Sequence, residues 1–242
     1  MKRFIYTTIA LAAVAVGCTK SNIVDVPEVQ KTPITFETYN GKTPVTKATD
    51  VTQATFEAST QEAPAFNVKA FKPNGEGYMD EPVWYVPAVE DNPDTEGTDE
   101  TMAAYWDYDG LTYWPSDGSS LTFAAYGLNA ASNVSLSSDG KTLTYTVPAN
   151  ASSHADLVVA TPVTQDATAG GTVSLEFKHV LARVGFRLTT IGSGTSVKIN
   201  NVTLNGLFKN KGTVALNAGT TITPTDETTL SYSLFAEGFK NS

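Results

Sequence analysis

Apolar and polar residues alternate with a period of two along much of the chain, which is typical of strands that bury one face. Residues 34–37, 66–70 and 173–178 place an apolar side chain at every second position. Further runs rich in Thr, Val, Tyr and Phe lie at 83–87, 111–114, 120–126, 142–147, 157–161, 183–190, 196–204, 213–216 and 229–235. The pattern predicts an all-β fold of many short strands.

Turn-forming residues separate these runs. Asp139-Gly140 stands between two alternating segments and predicts a tight hairpin, because glycine adopts positive φ without steric cost. Helical periodicity is nearly absent, and its best candidate is a short turn at 101–106. Short strands at this spacing indicate one or two antiparallel sandwiches.

The N-terminus has the organisation of a bacterial export signal. Lys2 and Arg3 precede the apolar run Phe4–Val16, which is too short to span a membrane as a helix. Ala15 to Cys18 resembles a lipobox, so we expect a signal peptide over residues 1–17 and diacylation of Cys18. Two acyl chains are what stable anchoring requires. The polar stretch 18–31 is predicted to be a tether.

Composition narrows the possible partners. The formal net charge is −9, and it becomes −11 once Lys2 and Arg3 are removed with the signal peptide. Nucleic acid is therefore not expected as a partner, since its phosphates require clustered basic residues. Hydrophobic residues make up 41% of the chain and charged ones 17%, which indicates a folded chain. The single cysteine excludes an internal disulfide.

Residues with catalytic chemistry are scarce. His154 and His179 are the only histidines, and no Gly-x-Ser-x-Gly segment is present to hold a nucleophile. The sequence also lacks a His-Glu-x-x-His motif and a cysteine pair, and the acidic run 90–100 is interpreted as a loop. No catalytic residue, metal or cofactor is predicted, and the chain is not expected to be an enzyme.

Taken in order, several segments resemble the fimbrillin family of Bacteroidales, which comprises type V pilus subunits and related surface lipoproteins. The segments that carry the resemblance are Cys18 with its lipobox, 34–36, 46–48, 66–71, 113–115, 121–126, 156–160 and 175–186. The resemblance implies tandem transthyretin-like antiparallel β-sandwich domains, which we assign to 32–171 and 172–242. The second has fewer predicted strands than a full sandwich, so either it is abbreviated or the chain is incomplete.

The same resemblance implies a function. In such pilins a lipid-anchored precursor reaches the outer-membrane surface, a trypsin-like protease removes the first strand, and a strand from another pilus subunit replaces it. The strand that would leave comprises Ile34, Thr35, Phe36, Glu37 and Thr38. Lys47 is the expected cleavage residue, and Lys42 is a weaker alternative because Thr43-Pro44 follows it. An uncleaved surface lipoprotein, with Lys47 an ordinary loop lysine, is the other interpretation.

An aromatic cluster supports an alternative function. Tyr105, Trp106 and Tyr108, flanked by aspartates, are predicted to be the most exposed part of this cluster and are candidates for contact with a host or bacterial surface ligand. Under this hypothesis the chain is a non-polymerising, glycan-binding surface lipoprotein. The competing interpretation places these aromatic residues in a sandwich core, where they bury the largest area.

Overall fold

The alternating pattern does produce a β protein. The computed structural model describes residues 31–40, 51–89, 102–150, 153–182 and 202–233. The strands in these ranges are β1 Thr35–Asn40, β2 Phe66–Phe71, β3 Gly77–Val86, β4 Tyr105–Tyr108, β5 Leu121–Gly127, β6 Val134–Leu136, β7 Thr142–Thr146, β8 Val158–Ala160, β9 Val163–Gln165, β10 Thr172–His179, β11 Thr203–Ala215 and β12 Thr223–Ser233. Helix α1 spans Gln53–Glu57, and short 3-10 helices span Leu128–Asn133 and Ala167–Ala169.

The larger sheet contains eight of the described strands. Its order is β1-β10-β8-β5-β2-β3-β4, and β9 pairs with β5 outside this path. The pairs are antiparallel except β1 with β10, which is parallel. The central strands β2, β5 and β8 contribute side chains to two separate hydrophobic cores, one on each face of the sheet.

The first core fills the concave side of this sheet, whose two end strands meet. Phe66, Phe123, Val158 and Leu175 are among the inward side chains that build it. The rings of Phe36 on β1 and Tyr108 on β4 lie 5.7 Å apart at 65°, in an edge-to-face contact. The sheet therefore curls until its first and last strands enclose the core.

A four-stranded sheet covers the opposite face. Its order is β12-β11-β7-β6, and Leu143, Tyr145 and Val214 contribute to the second core between the sheets. Lys69 points to this side of β2 and is 5% exposed, but it forms an ion pair with Asp80, its direct neighbour on β3. The pairing offsets the desolvation that an isolated buried charge would suffer.

The all-β, sandwich-like prediction is confirmed. The predicted hairpin around Asp139-Gly140 forms between β6 and β7, with Gly140 at φ +70° and its amide donating to Ser137. Residues 183–190 and most of 196–204, which were also predicted to form strands, lie outside the described residues.

Strand β10 begins at Thr172, where the second predicted domain was assigned to start, and it lies inside the larger sheet because its inward side chains complete the first core. Three predictions about local structure were wrong. Antiparallel pairing was expected throughout, but β1 pairs with β10 in parallel. Within the helical turn expected at 101–106, Tyr105 and Trp106 belong to strand β4, and Trp106 packs in the first core. Residues 111–114 form an isolated bridge between Pro33 and Tyr113 in place of a strand.

Helix α1 was not predicted. Thr52 caps it by accepting from the Thr55 amide at 3.2 Å, while the Thr55 hydroxyl accepts from the Thr52 amide at 2.7 Å. This reciprocal pair satisfies two of the amides that a helix start leaves unpaired. Within the described ranges, no helix has the length and apolar character needed to cross a membrane.

The core between the sheets predicts a contrast between two leucines. Leu143 is fully buried and Leu207 on β11 is 64% exposed. Leu143→Ala should lower the free energy of unfolding by about 2–5 kcal/mol, because it leaves a cavity. Leu207→Ala should change it by less than about 0.5 kcal/mol, as is usual at an exposed site. Urea denaturation of both variants measures the difference, and equal losses would contradict this description of the core.

Candidate functional site

Strand β1 is an end strand of the larger sheet, and its side chains alternate between the core and solvent. It pairs with β10 over six positions, from Thr35 opposite Thr172 to Asn40 opposite Phe177. Ile34 and Phe36 are buried, whereas Tyr39 on the outer face is 60% exposed. β1 thus supplies side chains to the core while remaining at the edge of the hydrogen-bonded ladder.

The second edge of this segment is also partly bonded. The Ile34 amide donates to the Thr112 carbonyl at 2.9 Å, and the Trp114 amide donates to the Thr32 carbonyl at 3.0 Å. These bonds link the start of β1 to the chain that follows β4. The β1 segment therefore joins the two ends of the curled sheet. We call this closure, in which residues 32–40 lie between β10 and residues 112–114, the seam.

Gly171 is required where β1 enters the seam. Its φ is +87°, and a Cβ at this position would lie 3.0 Å from Thr32 Cγ2 and 3.2 Å from the Pro33 carbonyl oxygen. Its own carbonyl accepts from the Thr35 amide at 3.1 Å and from Trp114 Nε1 at 3.3 Å. A larger residue would combine backbone strain with tight contacts to the chain that enters β1.

Aromatic side chains line the seam from within. Tyr108 donates its hydroxyl to the Ile34 carbonyl at 2.8 Å, so it holds the backbone of β1 directly. Burial raises the pKa of Tyr108 above its ordinary value, which keeps the phenol protonated and able to donate. Phe36 also meets Phe123 edge-to-face, with the ring centres 6.2 Å apart.

Helix α1 lies beside the other end of β1. Gln53 Nε2 donates to Thr38 Oγ1 at 3.2 Å, and Gln53 also donates to Glu57 on the same helix. Phe56 inserts into the core, where its ring meets that of Phe177 at 4.9 Å and 89°. The helix therefore combines a buried aromatic anchor with a polar side chain that contacts β1.

The chain after the predicted cleavage segment is fixed to the body of the protein. Asp156 Oδ2 accepts from the Val51 amide at 3.0 Å and contacts His179 Nδ1 at 2.7 Å. The Asp156 carbonyl in turn accepts from Asn129 Nδ2 at 2.6 Å. Val51 is itself buried. Asp156 thus connects Val51, two residues before α1, to His179 at the end of β10.

The residues predicted for processing separate into two groups. Ile34 to Thr38 lie in the seam, as just described. Cys18 and Lys47, together with the alternative Lys42, lie outside the described residues. The anchoring and cleavage roles of these residues stay predictions.

The predicted exposure of the aromatic cluster was wrong for two of its three residues. Trp106 is 8% exposed and Tyr108 is 6% exposed, because alternate residues of β4 face the first core. Tyr105, at 38%, is exposed. A planar aromatic surface for stacking on sugar rings is not formed by these residues.

The histidines have ordinary structural surroundings. His154 contacts the Pro148 carbonyl oxygen at 2.9 Å, and its ring meets that of Tyr232 edge-to-face at 5.0 Å. His179 Nδ1 lies 2.7 Å from Asp156 Oδ2. The described ranges contain no group of three or more His, Cys, Asp or Glu side chains that could hold a metal ion.

Reasoning from the sequence missed Gln53 and Asp156 as parts of the site. The capping pair Thr52 and Thr55 was the available signal for α1, but a helix of five residues gives too little periodicity to detect. Asp156 meets Val51 across 105 residues, and no local pattern reports such a contact.

Comparison with known proteins gives the family. The fimbrillin-like family model matches residues 46–238, which is most of the chain. The chain is a member of the fimbrillin-like family. A search of curated proteins finds no match to this fimbrillin-like chain.

Two solved structures resemble the fimbrillin-like chain. One is a proposed cell adhesion protein from Bacteroides uniformis, with a TM-score of 0.50 and 17% identity over 88% of this chain and 72% of that one. The other is a fimbrial protein from Bacteroides vulgatus, with a TM-score of 0.42 and 19% identity over 75% of this chain and 57% of that one. At this identity, the first likeness supports the fold alone.

The seam predicts unequal roles for two aromatic residues on β1 of the fimbrillin-like chain. Phe36→Ala should speed amide hydrogen exchange along β1 and β10, because it removes a buried ring and two edge-to-face contacts, an expected loss of about 3–5 kcal/mol. Tyr39→Ala is the matched control, since Tyr39 is 60% exposed. Mass spectrometry measures the rate of amide hydrogen exchange in both variants. Equal acceleration in the two would contradict the inward role of Phe36 in the seam.

Proposed function

We propose that this chain is a fimbrial subunit or adhesin of the cell surface, made as a lipid-anchored precursor. In this proposal a protease removes β1, and a strand from another pilus subunit fills its place. The role is structural, and the fimbrillin-like family membership supports it. The single observation that carries the exchange mechanism is the position of β1, an end strand whose side chains complete the core.

The bonding of β1 makes it a separable element. Residues 41–50 connect β1 covalently to the strands that follow it. Among the described strands, β10 is the only one that pairs with β1. Its departure would leave a row of β10 backbone groups unpaired and would open the cavity that Ile34 and Phe36 now fill. An exposed strand edge beside an apolar groove is the arrangement that binds an added strand.

The anchoring of Val51 supports a cut before that residue. Asp156 holds the Val51 amide, and Phe56 is buried at the end of the same short segment. Cleavage after Lys47 would therefore free residues up to 47, while α1 stays on the body. The residues that line the groove would remain in place for a new strand.

Burial of Trp106 and Tyr108 weakens the alternative of a glycan-binding lipoprotein. One exposed tyrosine, Tyr105, does not form a stacking platform, and no other observation favours that function. Adhesion to a host or bacterial surface ligand remains within the proposal for an adhesin.

Limited trypsin treatment tests the exchange mechanism. The soluble chain from residue 19 should be cut after Lys47 and then form ladders that resist SDS, because the opened edge recruits strands from other copies. Lys47→Ala should stay monomeric after the same treatment. Lys42→Ala serves as the control and should behave like the parent chain.

Intact mass identifies the cut, and gel electrophoresis identifies the ladder. A monomer that persists after the cut would overturn strand exchange and leave a stand-alone adhesin. A ladder from uncut Lys47→Ala would show that assembly does not require this cleavage.

Cys18 provides a separate test of anchoring. Labelled palmitate should enter the full chain in a Bacteroides host and should be lost in Cys18→Ala, since this thiol is the only one available for acylation. The variant should also leave the membrane fraction. Retention of the label in Cys18→Ala would contradict the lipoprotein assignment.

A further inference from the structure

Three inward side chains, Ile34 just before β1 and Phe36 and Thr38 on β1, have three different chemical surroundings. Ile34, Phe36 and Thr38 follow one another at every second residue, so a strand in this seam presents all three to the interior. The side chains of this segment therefore indicate which type of residue fits at each inward position. The outward residues between them face solvent.

The first position is apolar and fully enclosed. Ile34 has no exposed surface. Its amide and carbonyl are both bonded, to Thr112 at 2.9 Å and to the Tyr108 hydroxyl at 2.8 Å. The backbone is fixed here on both sides, and a polar side chain at this position would be buried without water.

The second position is aromatic. Phe36 meets Tyr108 and Phe123 edge-to-face, at 5.7 Å and 6.2 Å. An aliphatic side chain fills volume but makes neither ring contact, and such contacts stabilise beyond the area they bury.

The third position is polar. Gln53 Nε2 donates to Thr38 Oγ1 at 3.2 Å across the space between α1 and β1. An apolar side chain of the same shape would lack the Thr38 hydroxyl, so the Gln53 side-chain amide would lose this acceptor. The outward face is different: the hydroxyls of Thr35 and Thr172 are 2.8 Å apart in an exposed contact.

We propose that the groove left by β1 selects its replacement by side-chain chemistry. The partner is an extended strand of a neighbouring subunit that carries an aliphatic, an aromatic and a small hydroxyl side chain at alternate positions. Tyr108 and Phe123 recognise the aromatic residue, and Gln53 recognises the hydroxyl. This inference rests on the proposed strand exchange.

The polar contact can be tested in the uncut full chain. Thr38→Val keeps the shape of the side chain but removes its hydroxyl, so it should lower the folding equilibrium constant by about threefold to tenfold. In a Gln53→Ala background the same change should have much less effect. Urea denaturation of the four proteins gives the coupling.

Thr35→Val is the matched control. Its hydroxyl contacts Thr172 on the outer face, so its effect should be the same with and without Gln53→Ala. A Thr38 effect that is also unchanged by Gln53→Ala would overturn the role of Gln53.

Selection itself is tested by exchange in the cut chain. The full chain is cut after Lys47, or at a protease site introduced within 41–50, and incubated with labelled synthetic peptides of residues 32–40. Phe36→Leu should weaken incorporation of the peptide by about tenfold through the lost ring contacts. Tyr39→Leu should change it by less than about twofold, because Tyr39 faces solvent.

The outcomes distinguish selection by side chain from the proposed strand exchange on which it rests. Incorporation of the native and Tyr39→Leu peptides, with weak uptake of Phe36→Leu, would support selection by side chain. Equal incorporation of all peptides would overturn selection and leave strand exchange standing. Failure of every peptide to enter would overturn strand exchange, and this inference with it.

Discussion

The first core and the curl of the larger sheet depend on the closure of that sheet by its first strand. β1 pairs in parallel with β10, and its start is also bonded to the chain that follows β4. The inward side chains of β1 then bury against the rings of Tyr108 and Phe123. Hydrogen bonding and burial are therefore satisfied by the same short segment. A curled sheet without it would expose both an edge and a core.

The second core is independent of this closure. It lies on the convex face, where β2, β5 and β8 pack against the four-stranded sheet. Each of these central strands contributes side chains to both cores, so they link the two layers of the fold. Under the proposed strand exchange, loss of β1 would therefore open the first core and leave the contacts of the second core in place.

The sequence predicts the strands better than their partners. Period-two alternation identifies β1, β2 and β10, because a strand with one buried face alternates apolar and polar side chains. The position of β10 in the larger sheet could not be predicted, since alternation states that one face is buried but not against which core. The burial of Trp106 was missed for the same reason. Of the candidate site, Ile34 to Thr38 were predicted, but the contacts of Gln53 and Asp156 depend on partners 15 and 105 residues away.

The parallel pairing of β1 with β10 has a consequence for timing. Thr35 and Thr172 meet across 137 residues, so the groove cannot exist until most of the chain has been made and folded. Once it exists, the covalently attached β1 is present at an effective concentration in the millimolar range, as is usual for a short tether. Under the proposed strand exchange, a cut within residues 41–50 would therefore change the return of β1 from a unimolecular reaction to a bimolecular one, in which another strand can compete.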